Sequence, residues 1–132
     1  MGAWAEGSFE NDDALDWVWE LKEAEDTAIL EEVFSVVTDN DDYLEAPDCS
    51  IAIAAAEVVA AMRKRSAAKL PPEVQAYVTR IGDSAGPDLA TAALAALKRV
   101  KTKSELQELW DDSKNAEKWH KAVEELESRL KG

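Results

Sequence analysis

Apolar residues recur three and four positions apart through most of this 132-residue chain, which is the spacing of one face of an α-helix. The first stripe follows Asn11 or Asp12, and the side-chain oxygen of either residue can cap a helix start. A second stripe predicts a helix over residues 26–37, which we expect to pack against the first. The members of the first stripe are Ala14, Leu15, Trp17, Val18 and Leu21.

A third helical segment, from Ser50 to Met62, is apolar on nearly all sides and rich in alanine. A helix of this kind belongs at the centre of a fold, where its small residues let neighbouring helices approach closely. We expect residues 39–48 to form an acidic loop in front of it.

Proline, glycine and capping signals mark the later helices. Pro71 and Pro72 open a fourth helix that Gly82 ends, and Pro87 opens a fifth. Ser104, followed three residues later by a glutamine, matches the capping-box pattern of a short sixth helix.

The last helix begins near Asn115 and carries an apolar seam that faces either the core or a partner. No alternating strand pattern is present. We therefore predict an all-α fold, a single compact bundle of about six or seven helices around the Ala-rich central helix, within one domain over residues 1–132. The seam consists of Trp119, Val123, Leu126 and Leu130.

Charge divides the chain into two halves. Residues 1–62 carry 17 acidic residues against Lys22 alone, a net charge of −16, and residues 63–132 carry 11 acidic and 14 basic residues, a net charge of +3. Such a field repels nucleic acid and attracts cationic proteins, polyamines or divalent metals. Alternatively, the two halves neutralise each other once folded, because acids crowd the predicted helix starts and bases crowd the helix ends.

Composition narrows the class of protein. Hydrophobic residues make up 46% of the chain, which predicts a folded protein despite the net charge of −13. No apolar run reaches the ~18 residues of a membrane span, and the N-terminus lacks a basic segment followed by an apolar one, so we expect a cytoplasmic protein without a membrane partner. The basic patches at residues 63–69 and 98–103 lack interleaved aromatic residues, so nucleic-acid binding is not expected.

The N-terminal segment, residues 2–17, contains more aromatic, glycine and acidic residues than a helix start requires. Its aromatic and acidic side chains could line one pocket for a cation, a metal ion or an amine-bearing ligand. The favoured alternative is structural, with Asn11 and Asp12 as caps, Asp16 bonded to an indole N–H and the aromatic rings in the core. The candidates are Trp4, Phe9, Glu10, Asn11, Asp12 and Asp16.

Glu57 lies in the middle of the apolar central helix, where a carboxylate must be paired, hydrogen-bonded or neutral. If Glu45 or Asp16 approached it, the two carboxylates could share a proton or a metal ion and act in general acid–base chemistry. The favoured alternative is a hydrogen bond to a Trp or Tyr side chain or to a free backbone amide near Pro47.

Other chemical signals are weaker, and we predict no metal site, no cofactor and no identifiable catalytic residue. Glu117 and His120 match half of a di-iron motif, but His120 is the only histidine and should face solvent. The acidic segment at residues 39–42 lacks the glycine and glutamate of a calcium loop. Cys49 has no neighbouring histidine in sequence and is expected to be a buried, inert thiol.

Several motifs spread over nearly the whole chain form a pattern of their own. They are Gly2-Ala3-Trp4, Gly7, Phe9-Glu10-Asn11-Asp12, Ala14, Asp16-Trp17, Tyr43-Leu44-Glu45-Ala46-Pro47, Ile51–Glu57, Glu108-Leu109-Trp110 and the Trp119, Val123, Leu126, Arg129-Leu130 series. In these motifs the chain resembles a family of small uncharacterised bacterial proteins that carry a domain of unknown function. The resemblance implies a bacterial, cytoplasmic protein, indicates no substrate and transfers no catalytic residue.

The leading functional prediction is a non-enzymatic acidic module that binds a basic protein, as an inhibitor, an immunity-type partner or a nucleic-acid mimic does. Acids would steer the association, and exposed aromatics such as Trp4, Trp17 or Trp19 would anchor it. The alternative is a metal- or small-ligand-binding protein or hydrolase that uses a carboxylate pocket built from Asp12, Asp16, Glu45 and Glu57. A homo-oligomer through the C-terminal seam is a third possibility.

Overall fold

The computed structural model describes residues 12–40, 42–64, 70–82 and 87–131, and within these ranges the chain forms seven helices and no strand. The all-α prediction is confirmed. The helices are α1 (Asp12–Glu23), α2 (Ala28–Thr38), α3 (Ala46–Met62), α4 (Pro72–Ile81), α5 (Pro87–Thr102), α6 (Glu105–Asp111) and α7 (Ala116–Lys131).

Helix α3 is the centre of the bundle and packs against each of the other six helices. Its residues from Ala52 to Met62 are all buried, as the apolar pattern around this helix predicted. Alanine at seven positions keeps the surface of α3 shallow, so neighbouring backbones can approach on all sides. The buried residues of all seven helices join in one hydrophobic cluster.

Helix α3 begins four residues earlier than predicted, at Ala46, so the acidic loop is shorter than the sequence suggested. Pro47 occupies the first turn, where its missing N–H is not needed for a helical hydrogen bond. The backbone N–H of Ala46 instead donates to Glu105 Oε1 at 2.7 Å. This acceptor comes from a distant helix, which is why local sequence signals missed the true start.

Helices α1 and α2 do not pack along each other, which corrects the expectation that they would. Helix α1 packs against α3 and α4, and α2 packs against α3 and α5. Both helices pack against α3, each on a different part of its surface. The stripe of α1 is buried as predicted, with Trp17 only 3% exposed, and Leu15 is its one exposed member.

The later helices follow the predicted signals. Gly82 ends α4 with a φ of +67°, a conformation that glycine adopts without strain. Ser104 Oγ accepts from the backbone N–H of Gln107 at 3.1 Å at the start of α6, while the Gln107 side chain bonds to Asp111 instead of closing the capping box. The apolar seam of α7 is buried against α3, α5 and α6, so it faces the core, and the homo-oligomer stays a prediction.

Candidate functional site

The outer face of α1 combines an exposed indole with carboxylates. Trp19 is 61% exposed, and Leu15, one turn before it, is also exposed. Asp16 and Glu23 lie one turn away from Trp19 on either side, since residues three and four apart are neighbours on a helix surface. Lys22 places its Nζ 5.0 Å from the centre of the Trp19 ring, a cation–π arrangement.

Most acids of the first half that the structure describes form no ion pair with the second half. Among the described residues up to position 62, Glu57 is the one acid that forms an ion pair with a lysine or arginine. The other described ion pairs join residues of the second half to each other. Apart from Glu57, these described carboxylates therefore lack a close cationic partner. Acids do lie in the first turns of α1, α2 and α3, as the alternative of mutual neutralisation expected.

Two arginines of the second half reach the first half but bind backbone oxygens. Arg80 donates to the carbonyl oxygens of Lys22 and Ala24, at 3.2 and 2.7 Å, at the end of α1. Arg99 donates to those of Asn40 and Asp42 after α2. These contacts satisfy carbonyl groups that a helix end or a loop leaves free, and they leave the carboxylates without a cationic partner.

A groove lies where α1 and α2 diverge over α3, and sequence reasoning missed it. It has a volume of about 180 Å³. Its walls are apolar, and three carboxylates from three different helices stand around them. The walls are Trp17, Ile29, Val33, Val36 and Ile51, and the carboxylates belong to Glu20 of α1, Glu32 of α2 and Asp48 of α3.

One sequence signal does point to this groove. Val36 lies outside the apolar stripe of α2, which consists of Ile29, Leu30, Val33, Phe34 and Val37. The structure leaves Val36 47% exposed, so it is an apolar residue that the core does not bury. The spacing of apolar residues does not predict that α1 and α2 separate and so open the groove.

Glu57 is 2% exposed, and its carboxylate forms two hydrogen bonds with the guanidinium of Arg129 on α7. The prediction that Glu57 is paired or hydrogen-bonded is confirmed, and Arg129 is a partner that the sequence analysis did not propose. The pair holds the pKa of Arg129 above its ordinary value, chiefly through the hydrogen bond to Glu57. Glu57 therefore docks α7 onto α3 and lies away from the surface where it was a candidate for ligand or partner binding.

The other predicted carboxylates do not assemble around Glu57. Asp12 and Asp16 are exposed on α1, and Glu45 is exposed at the residue that precedes α3. Within residues 12–40, 42–64, 70–82 and 87–131, no three His, Cys, Asp or Glu side chains are grouped closely enough to hold a metal ion. Trp4, Phe9, Glu10 and Asn11 lie outside the described residues.

Trp17, which the binding hypothesis counted among the exposed aromatic anchors, is instead part of the core. Its indole Nε1 is buried and donates to no acceptor, so the predicted bond from Asp16 to an indole is not made at Trp17. Buried donors without an acceptor are rare in native proteins. The side chain of Trp17 forms one wall of the groove.

Cys49 is fully buried near the start of α3, as predicted for an inert thiol. Burial raises the pKa of its thiol, which disfavours the reactive thiolate.

His120 is partly exposed, and its Nε2 lies 2.8 Å from Asp111 Oδ1. Next to it, Trp110 and Trp119 stack with ring centres 6.2 Å apart, which joins α6 to α7. We assign these residues to the structure of the bundle.

Comparison with known proteins gives one result. A family model described as a domain of unknown function, DUF4259, matches residues 2–122, so the chain belongs to this family. No curated protein and no solved structure gave a match. None of the described helices has the length and apolar character needed to cross a membrane.

Proposed function

We propose that this member of a family of unknown function is a non-enzymatic module that binds a basic protein through the acidic surface of α1, α2 and the start of α3. The binding would serve an inhibitory, immunity-type or nucleic-acid-mimicking role in the cytoplasm of a bacterium.

A single observation supports the proposal above the others. The described acids of the first half, apart from Glu57, have no lysine or arginine partner. Carboxylates that repel one another without compensation destabilise a compact chain, so such a surface is expected where a cationic partner offsets the repulsion. A field of this kind also accelerates association with a basic protein.

Trp19 adds an anchor within that surface. Large aromatic residues carry much of the binding energy at protein interfaces, particularly where polar groups surround them. The exposed ring of Trp19 has Asp16 and Glu23 one turn away, and Leu15 extends the apolar contact. A basic partner could therefore bury the ring while its cations meet the flanking carboxylates.

The hydrolase and metal-site alternative draws less support from the described residues. It needs Asp12, Asp16, Glu45 and Glu57 around one pocket, yet Glu57 is buried against Arg129 and the other three are exposed.

A capture experiment tests the proposal. The immobilised protein is exposed to lysate of its source organism at about 0.05 M salt and eluted at about 0.5 M salt, because salt screens contacts between exposed charges. Mass spectrometry identifies the released proteins, and binding of each purified candidate is measured. The test variant is Trp19→Ala with Asp16→Asn, and we expect it to weaken binding at least about 30-fold, as for a hot-spot residue.

The control removes two carboxylates, one more than the test variant, from the other half of the chain, with Asp112→Asn and Glu124→Gln. Both residues are exposed and form no ion pair. The control should bind the partner within about threefold of the unaltered protein. Recovery of no basic protein, or equal losses in test and control variants, would overturn the proposal.

A further inference from the structure

The groove between α1 and α2 is a site of a different kind from the exposed face around Trp19. Its volume of about 180 Å³ lies below the roughly 300–1,000 Å³ of pockets that take drug-sized ligands or cofactors. A cavity of about 150 Å³ is enough for a molecule the size of benzene. The volume of the groove therefore suits one long side chain.

The walls and rim of the groove require an occupant with two chemical parts. Ile29, Val33 and Ile51 offer apolar contact to a methylene stem, and carboxylates stand beside them. Long cationic side chains combine an apolar stem with a charged end and bury the first while keeping the second among polar groups. An uncharged apolar side chain would fill the walls but leave the carboxylates uncompensated.

The placement of the carboxylates favours arginine over lysine. Glu20, Glu32 and Asp48 belong to three helices, and none has a lysine or arginine partner among the described residues. A planar guanidinium carries five N–H donors and can serve more than one carboxylate at once, whereas an ammonium is a compact point charge.

Trp17 forms a wall of the groove. Its indole N–H is buried and has no acceptor, so an occupant of the groove cannot hydrogen-bond to it, and its NMR signal reports only on binding nearby.

We propose that the groove bounded by Trp17, Ile51 and the carboxylates of Glu20, Glu32 and Asp48 binds an arginine side chain of the partner. This inference rests on the proposed function, since the arginine belongs to the basic protein, and it adds the residue type that the surface selects. The groove would provide the specificity, while the open acidic face around Trp19 provides attraction and area.

A titration followed by NMR tests the site with defined probes. The full chain is titrated with N-acetylarginine amide and, in parallel, with N-acetylcitrulline amide, which has nearly the same shape without the charge. We expect the arginine derivative to shift the indole N–H signal of Trp17 and the methyl signals of Ile29 and Ile51, with a Kd in the range of about 1–20 mM, as for so small a ligand. The citrulline derivative should bind at least about fivefold more weakly.

Variants locate the effect in the groove. Glu32→Gln with Asp48→Asn should weaken binding of the arginine derivative at least about fivefold, since two of the three carboxylates are lost. Asp112→Asn with Glu124→Gln removes the same charge elsewhere and should leave binding within about twofold. Equal binding of both probes, shifts centred on α7, or equal losses in the two double variants would each overturn the inference.

The inference and the proposed function can fail separately. If a basic partner is captured through Trp19 but the arginine derivative leaves the groove signals unchanged, the groove inference is overturned and the proposed function stands. If the arginine derivative binds the groove but lysate yields no basic partner, the proposed function fails, and with it the assignment of the arginine to a partner protein.

Discussion

Glu57 in the middle of α3 and Arg129 near the end of α7 form a bidentate, largely buried ion pair, although the two residues are 72 positions apart in sequence. The same guanidinium also donates through Nε to Glu125 Oε2 at 2.6 Å, on the exposed side of α7. Arg129 therefore links the centre of the bundle to its surface. The buried contact fixes how α7 sits on α3.

We expect Arg129→Met to lower the free energy of unfolding by about 3 kcal/mol, because it leaves the Glu57 carboxylate buried without its main cationic partner. Denaturant unfolding measures the change. Glu125→Gln removes only the exposed contact and should cost less than about 1 kcal/mol. The double variant Glu57→Leu with Arg129→Met should recover most of the loss, since apolar residues of similar volume can replace a buried ion pair. Equal losses for Arg129→Met and Glu125→Gln would contradict this assignment.

Trp17 and Trp19 are two positions apart, but truncation to alanine should lower the stability of the protein strongly at Trp17 and hardly at all at Trp19. Trp17→Ala removes a ring that is 3% exposed and should destabilise the protein by about 3–5 kcal/mol. Trp19→Ala removes a ring that is 61% exposed and should change stability by less than about 0.5 kcal/mol. Thermal unfolding followed by circular dichroism compares them. A large stability loss for Trp19→Ala would mean that its role is structural, which would weaken its assignment as a binding anchor.

Gly82 and Lys64 provide a matched test of backbone conformation. Both residues have positive φ, +67° at Gly82 and +63° at Lys64. We expect Gly82→Ala to cost about 1–3 kcal/mol from backbone strain alone, because an added Cβ would meet no atom within 4 Å. Lys64→Gly removes the strain of a side chain at positive φ and should be neutral or stabilising by up to about 1 kcal/mol. Chemical denaturation of both variants measures this, and a neutral Gly82→Ala would contradict it.

The contact between His120 and Asp111 predicts a pH effect. Hydrogen bonds from His120, and then from Gln107, hold the pKa of Asp111 below its ordinary value. Because this pKa is lower in the folded state, the contact stabilises the protein fully at pH values above the unfolded-state pKa of the carboxyl. The stabilisation disappears as the pH falls through the folded-state pKa. Both side chains are partly exposed, so the contribution should stay under about 1 kcal/mol.

NMR titration of the side-chain carboxyl signals checks this prediction. His120→Ala should raise the pKa of Asp111 toward its ordinary value, because the first of its two hydrogen-bond partners is lost. Lys118→Ala removes an exposed positive charge from α7, the helix of His120, without removing a hydrogen bond to Asp111. Its effect on the pKa of Asp111 should therefore be smaller. An unchanged pKa in His120→Ala would show that the contact does not stabilise the carboxylate in solution.

The candidate site was only partly accessible to sequence reasoning. Trp19 could be singled out because it lies off the apolar stripe of α1, and the structure leaves its ring exposed. The charge division is a property of the sequence itself, but the absence of compensating pairs on most first-half acids required the placement of each cation. Arg80 and Arg99 show why, because both reach the first half and then bind carbonyl oxygens there.

The sequence by itself, through the spacing of apolar residues and through its proline, glycine and capping signals, determined that there are about six or seven helices, their approximate bounds and the central place of α3. That information is local, because a helix buries the face on which its apolar residues fall three and four apart. Only the tertiary structure decided that α1 and α2 separate over α3, that Ala46 finds its acceptor on Glu105, and that Glu57 meets Arg129. These contacts join residues far apart in sequence, and they depend on how helix surfaces fit together, which no periodicity along the chain encodes.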